Sequence, residues 1–361
     1  MVFQNQELGS FFNENFINFR ITPSDEGWQK IRGLFEIRGT PTVVLVKPDG
    51  QELDRINGFD GAGEFMAAVK EYLAGDNLLS TFLAQVEANP DDIEANFRLG
   101  KKYTSRWEDG TAYPYYAKTI ELDPEDSTGH KAEASLRIAV YKIESREDPD
   151  PEPLKQFIAY NTDQEFMFES YASLARYYER KEENDRVMPV WEELLAKMPD
   201  DPMVMNEYAF NVFNLEDESR YEKAKAQAEK ALSTGDEDAL FLGHYNTIRY
   251  YRLKKDNDTA LIKYAEAAEA VPTEAFFAYG YAAVALEEKK TDHYDRAIEM
   301  IKRALEINDG QASYWDTLAG LYFETGNREG AIEAQEKAVE LRPDFQAYQQ
   351  KLEKYQGQER K

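Results

Sequence analysis

The chain has no cysteine in its 361 residues. Disulfides, thiol nucleophiles and thiolate metal sites are therefore excluded within it. Histidine is scarce as well. His130, His244 and His293 are scattered and read as structural or surface groups rather than a metal set. No apolar run approaches the roughly 18 residues of a membrane helix; the longest, such as TVVLV at 42–46, are strand-sized. The opening MVFQNQELGSFF lacks a basic stretch followed by a long apolar one, so it does not read as a secretory signal. No glycine-rich phosphate loop and no Ser-His-Asp arrangement stands out.

Positive charge is in deficit. Lys and Arg number 43 against 69 Asp and Glu, a net charge of −26. Phosphates are repelled by such a field, so nucleic acid and anionic membrane are poor partners, and a basic or neutral protein is the easier one. The acidity is uneven: residues 1–75 carry 7 basic and 11 acidic groups, which leaves −22 for the remainder. The abundant Asp and Glu read as solvated faces rather than acid–base pairs. Hydrophobic residues make up 42% of the chain, enough to bury a sizeable core. The length fits two or three ordinary domains or one long repeat array.

In residues 1–75 the periodicities alternate. Leu8, Phe11 and Phe12 predict an amphipathic helix over 4–14, and FINFRI at 16–21 predicts a strand. Ser24 is a plausible N-cap for a helix burying Trp28, Ile31, Leu34 and Phe35. TVVLV then reads as a buried strand, Pro48-Asp49-Gly50 as a hairpin turn, and ELDRING as the antiparallel return. A last helix over 61–74 uses Phe65, Val69 and Tyr72.

That order, with VFQNQELGSFFNENFINFRI and EIRGTPTVVLVKPDGQELDRINGF, resembles the thioredoxin fold from midway through its first helix to its end. The resemblance implies a cis Thr40–Pro41 bond. It also implies that the backbone of Thr40 and Pro41 binds an extended peptide. The chain departs from the family in lacking the first strand and the Cys-x-x-Cys, so the sheet is expected to miss its central strand. The exposed edges of 16–21 and 42–47 should then be covered by something. The expectation is that Met1 is internal, with the cysteine pair encoded upstream; the alternative is a degenerate domain. Bacterial proteins of this kind are often exported to the periplasm, while a true start at Met1 points to the cytoplasm.

The remaining residues repeat. ASYWDTLAGLYFETGNREGAIEAQEKAVELRPD places Trp315, Leu318, Ala319, Tyr322, Ala331, Ala338 and Pro343 in a pattern that resembles the tetratricopeptide repeat, a helix pair of about 34 residues. Further copies carry Leu99, Gly100, Tyr103, Ala112, Tyr116 and Pro124; Tyr171, Leu174, Ala175, Tyr178, Trp191 and Pro199; and Ile248, Tyr251, Ala260, Tyr264, Ala267 and Pro272. Weaker copies lie at 205–238 and 275–311. The stretch 127–164 is degenerate, interrupted by REDPDPEP. Small residues let paired helices approach closely, and stacking of units yields a superhelix.

The expected architecture is mainly α: a small α/β partial thioredoxin-like domain (1–75), an α-solenoid of six or seven tetratricopeptide repeats (76–345), and a capping helix with its tail (346–361). The aromatic content is attributed to packing between repeats. In the family the first helix of each repeat lines the concave groove. Its register implies groove positions at Phe97, Lys101, Arg176, Arg180, Phe210, Phe213, Tyr245, Arg249 and Arg252. Phe97 stands where the clamp for chaperone carboxyl termini has its first lysine, so that ligand is not expected. The reading is a non-catalytic scaffold for a protein or peptide, without cofactor or metal. The alternative is a thiol-disulfide oxidoreductase whose cysteines lie upstream of Met1.

Overall fold

The computed structural model describes residues 6–58, 61–145 and 147–357. Two compact units divide the chain, Met1–Tyr177 and Tyr178–Lys361.

The first unit opens with α1 (Gln6–Asn15), α2 (Trp28–Leu34), β1 (Thr42–Val46), β2 (Glu52–Asn57) and α3 (Ala62–Ala74). The β-branched run of β1 pairs antiparallel with β2, with Thr42 opposite Asn57 and Leu45 opposite Asp54. Gly50 closes the turn: its N–H donates to the Lys47 carbonyl at 2.9 Å, and its φ of +86° is one that glycine adopts freely. The amphipathic faces of α1 and α3 meet the hairpin in one core of Leu8, Leu45, Phe65, Val69, Tyr72 and Leu78. Phe12 stacks on Phe65 at 5.5 Å between ring centroids. The Thr40–Pro41 bond is cis.

The strand expected at 16–21 is not formed. Among the described residues the sheet has only β1 and β2. A strand is held by hydrogen bonds to a neighbour, and this segment pairs with none. Phe16 packs against the core, while Ile17 at 103% relative exposure and Phe19 at 80% stand in solvent, so among the described residues nothing covers these two. Residues 4 and 5 of the first expected helix lie outside the described residues.

Helices follow: α4 (Leu79–Ala88), α5 (Ile93–Ser105), α6 (Asp109–Leu122), α7 (Lys131–Glu144), α8 (Glu152–Tyr160) and α9 (Gln164–Arg180), within which the two units divide. Asp92 caps α5 by accepting from the Ala95 N–H at 2.9 Å. Gly100 allows α6 to approach, since a Cβ there would lie 2.9 Å from the Tyr116 ring. The degenerate stretch still makes a packed pair of α7 and α8, because Leu136, Ala139 and Ile143 recur at helical spacing and bury with Leu154 and Phe157.

The second unit holds α10 (Asn184–Lys197), α11 (Pro202–Asn214), α12 (Tyr221–Ser233), α13 (Glu237–Leu253), α14 (Asn257–Ala270), α15 (Ala275–Glu287), α16 (Tyr294–Ile307), α17 (Ala312–Glu324), α18 (Arg328–Leu341) and α19 (Gln346–Gln356). From α11 to α18 they pack as successive pairs. The small residues read as repeat signatures are fully buried at the crossings, Ala260, Ala267, Ala297, Ala304, Ala331 and Ala338 among them. Helix α19 packs on α18. Tyr355 stacks on Phe323 at 4.5 Å, the Tyr355 carbonyl accepts from Arg328 Nε at 2.6 Å, and Lys351 binds Asp316 at 2.7 Å.

Candidate functional site

The first helices of the pairs in the second unit, α11, α13, α15 and α17, carry two sets of contacting aromatic rings. Phe210 on α11 lies 6.2 Å from Tyr245 on α13. Tyr245 lies 5.8 Å from Phe276 on α15. Phe241, one helical turn before Tyr245, lies 5.7 Å from Phe276. Further along, Tyr279 on α15 stacks on Tyr314 of α17 at 4.6 Å. Phe241 and Phe276 keep 37% and 38% of their surface in solvent, and Phe210, Tyr245, Tyr279 and Tyr314 are half-buried. Rings so held offer apolar area without a large ordering cost, because each is already fixed by its neighbours.

Two arginines organise this face. The Arg249 guanidinium lies 6.0 Å from the Phe210 ring centroid and donates through Nη2 to the Phe213 carbonyl at 3.0 Å, with Asn214 Oδ1 as a second acceptor. It thereby satisfies the carbonyl end of α11. Arg252 donates to Asn257 at 2.6 Å and pairs with Glu287 at 3.1 Å, joining α13 to α15. Beneath the face, Gly280 allows α14 to approach: a Cβ there would lie 2.3 Å from the Tyr264 ring.

The residues expected to line a groove divide into three groups. Phe210, Tyr245, Arg249 and Arg252 come together on this face. Phe97 and Phe213 do not line a surface. Phe97 is 6% exposed and stacks on His130 at 3.9 Å. Phe213 is fully buried against Tyr221 and Tyr250. Both are large apolar rings on the inward stripe of their helices, where a ligand does not reach them. Lys101, Arg176 and Arg180 are exposed elsewhere. Lys101 pairs with Glu133 at 3.2 Å, Arg176 donates to Ser173 at 2.9 Å, and Arg180 ends α9.

Thr40 and Pro41 are both exposed. The preceding Gly39 is pressed against Trp107, whose ring would lie 2.5 Å from an added Cβ, and Arg38 Nη1 donates to the Trp107 carbonyl at 3.2 Å. The loop is thus seated on the turn between α5 and α6. An ionic cluster holds the hairpin to the same helix pair. Asp54, sealed from solvent, accepts from Lys102 Nζ at 3.0 Å and from Arg106 Nη1 at 3.0 Å. Arg106 also pairs with Glu52 at 2.9 Å, and Lys102 donates to the Tyr72 hydroxyl at 2.9 Å. Burial, partly offset by Asp54, holds the Lys102 ammonium below its ordinary pKa. Every charge in this cluster has a partner, so it reads as a fastening.

Sequence reasoning missed Phe241, Phe276, Tyr279 and Tyr314. Paired aromatics on first helices, as in Phe276-Phe277, were the available signal, since two adjacent residues on one helix cannot both face its core.

Residues 312–345 match the tetratricopeptide repeat family model. No curated protein matches the chain. Among solved structures, YrrB, described as a TPR protein with an unusual peptide-binding site, is 19% identical; the match covers 54% of this chain and 95% of that one at a TM-score of 0.41. PilF of Pseudomonas aeruginosa is 15% identical, with 74% and 97% covered and a TM-score of 0.43. A tetratricopeptide repeat protein from Parabacteroides merdae is 12% identical, with 73% and 98% covered and a TM-score of 0.46. The family match gives no evidence of a thioredoxin-like domain. Among the described residues no helix is long and apolar enough to cross a membrane.

Proposed function

We propose that this tetratricopeptide repeat protein is a non-catalytic interaction protein that captures an extended peptide on the aromatic face of α11, α13, α15 and α17. The observation that carries the reading is the half-exposed ring set from Phe210 through Tyr245, Phe241 and Phe276, with a second stack of Tyr279 on Tyr314 on α15 and α17. Aromatic residues dominate binding hot spots because they bury much area at little entropic cost. The arginines of the face already have acceptors in Phe213, Asn214, Asn257 and Glu287, so the ligand is held by apolar and ring contacts more than by charge. The chain's negative field favours a neutral or basic segment. The thioredoxin-like reading of residues 1–75 is supported by the element order, by the wording of 2–21 and 36–59 and by the cis Thr40–Pro41 bond, and the unformed strand at 16–21 counts against it.

The test is a linear peptide selected by display on the immobilised protein, with affinity measured by fluorescence anisotropy. Tyr245→Ala and Phe276→Ala should each weaken it by about tenfold or more, the scale of a hot-spot loss. Undiminished affinity in both variants would refute the reading.

A further inference from the structure

Three successive first helices of the second unit each leave one large apolar side chain in solvent within their first two turns: Met203 on α11 at 39% exposure, Phe241 on α13 and Phe276 on α15. Carboxylates stand beside the two rings. Glu237 and Asp238 precede Phe241 by four and three residues, the spacings that share one helix face. Glu274 is the N-cap residue of α15, two before Phe276, and its side chain makes no cap hydrogen bond. It also lies near the second ring stack: burial, Tyr279 and the Glu274 charge together raise the Tyr314 hydroxyl pKa. All three acidic residues are exposed, and none of their carboxylates has an ion pair or hydrogen bond among the described residues. The other end of α13 differs. Arg252 pairs with Glu287 and Glu288 at 3.1 and 3.4 Å, and Arg249 is bonded to the Phe213 carbonyl. The cations toward the C-terminus of α13 therefore have acceptors, while the carboxylates at the N-termini of α13 and α15 have no cation.

We infer that the peptide taken by the aromatic face carries basic side chains among its apolar ones, with Lys or Arg set on Glu237, Asp238 and Glu274 and apolar groups on Phe241 and Phe276. This rests on the function proposed above and adds which ligand charge is read, and where. A neutral ligand that covers the rings also strips water from carboxylates that have no partner, and a basic one avoids that cost. A cation over the face of an exposed ring gains further from the ring quadrupole, and Phe241 and Phe276 lie beside the carboxylates that attract it. The helix spacing sets the period of the segment. Packed helices lie about 8–10 Å apart and an extended chain rises about 3.3 Å per residue, so the positions that meet successive helices recur about every third residue.

The probe is a rhodamine-labelled peptide of three Phe-Ser-Lys repeats, titrated with the full chain at low ionic strength and read by fluorescence anisotropy. Peptides of three Phe-Ser-Gln and three Ala-Ser-Lys repeats run beside it. The Phe-Ser-Lys peptide should bind about tenfold tighter than either, since each exposed ion pair adds only a few-fold. In the variant Glu237→Gln, Asp238→Asn, Glu274→Gln the preference for lysine over glutamine should fall to about threefold or less. It should persist when three exposed carboxylates of α18 are removed instead, by Glu329→Gln, Glu333→Gln and Glu336→Gln, which matches the change in net charge. The inference is overturned if the lysine peptide binds no tighter than the glutamine peptide, if the first variant keeps the preference, or if the α18 variant loses it equally. Should the two peptides bind alike and Phe276→Ala weaken both, the inference falls and the aromatic face remains the site. Should Phe276→Ala and Tyr245→Ala weaken neither, the proposed function falls and the inference with it.

Discussion

Asp54 and Lys102 meet at 3.0 Å with both side chains closed to solvent, one on a hairpin strand and the other on the first helix of a packed pair. The contact joins segments 48 residues apart in sequence and fixes the hairpin on the helices behind it. Lys102→Ala leaves the buried Asp54 carboxylate with Arg106 as its remaining salt-bridge partner. The expected cost is about 3–5 kcal/mol, the scale for stripping one partner from a buried pair. Urea unfolding monitored by Trp107, whose ring lies against Gly39, checks it. The double variant Lys102→Met with Asp54→Leu should recover much of the loss.

Gly280→Ala should destabilise the second unit by about 1–3 kcal/mol, because the new methyl overpacks the crossing with Tyr264. Adding Tyr264→Leu should relieve part of the cost. Thermal unfolding of the single and double variants measures the coupling.

Alkaline pH should unfold the protein in a defined window. Burial pushes the Tyr116, Tyr208 and Tyr355 hydroxyls up to about 12, and a hydrogen bond to Glu222 raises Tyr250 to about 12. Their ordinary value is about 10. The folded state therefore holds protons that the unfolded state releases above pH 10. The stability linked to these groups is fully present below that pH and is lost as pH rises toward 12. Lys102 works the other way, since its depressed pKa makes the folded state the poorer proton binder below 10.5. One lysine against four tyrosines leaves the net slope negative. Absorbance at 295 nm should show a late tyrosine class ionising together with loss of helical circular dichroism. Ionisation of all 23 tyrosines near pH 10 in a still-helical protein would contradict this.

Much of the fold was legible because periodicity reports burial directly. The alanine signatures of the repeats, such as Ala331 and Ala338, are where the helices cross. The turn at Asp49-Gly50 closes the hairpin as its chemistry requires. The strand at 16–21 was misread because alternation describes a residue's preference and does not supply a neighbouring strand. The site was legible only in part. Helical register placed Tyr245 and Arg249 on one face of α13, yet it could not tell Phe210, half-buried, from Phe213, one turn later in the core. Nor could it show that Phe276 stays half in solvent while Phe277 beside it is fully buried; that depends on how the helices pack.

The most direct test of the central claim is photo-crosslinking of the display-selected peptide to the full chain. A benzoyl-phenylalanine is placed at Phe276 on the aromatic face or at Ile262 on α14, which is 56% exposed but belongs to a second helix of a pair. The account predicts a crosslinked product from position 276, suppressed by unlabelled peptide, and none from position 262. A product from 262 with none from 276 would contradict it.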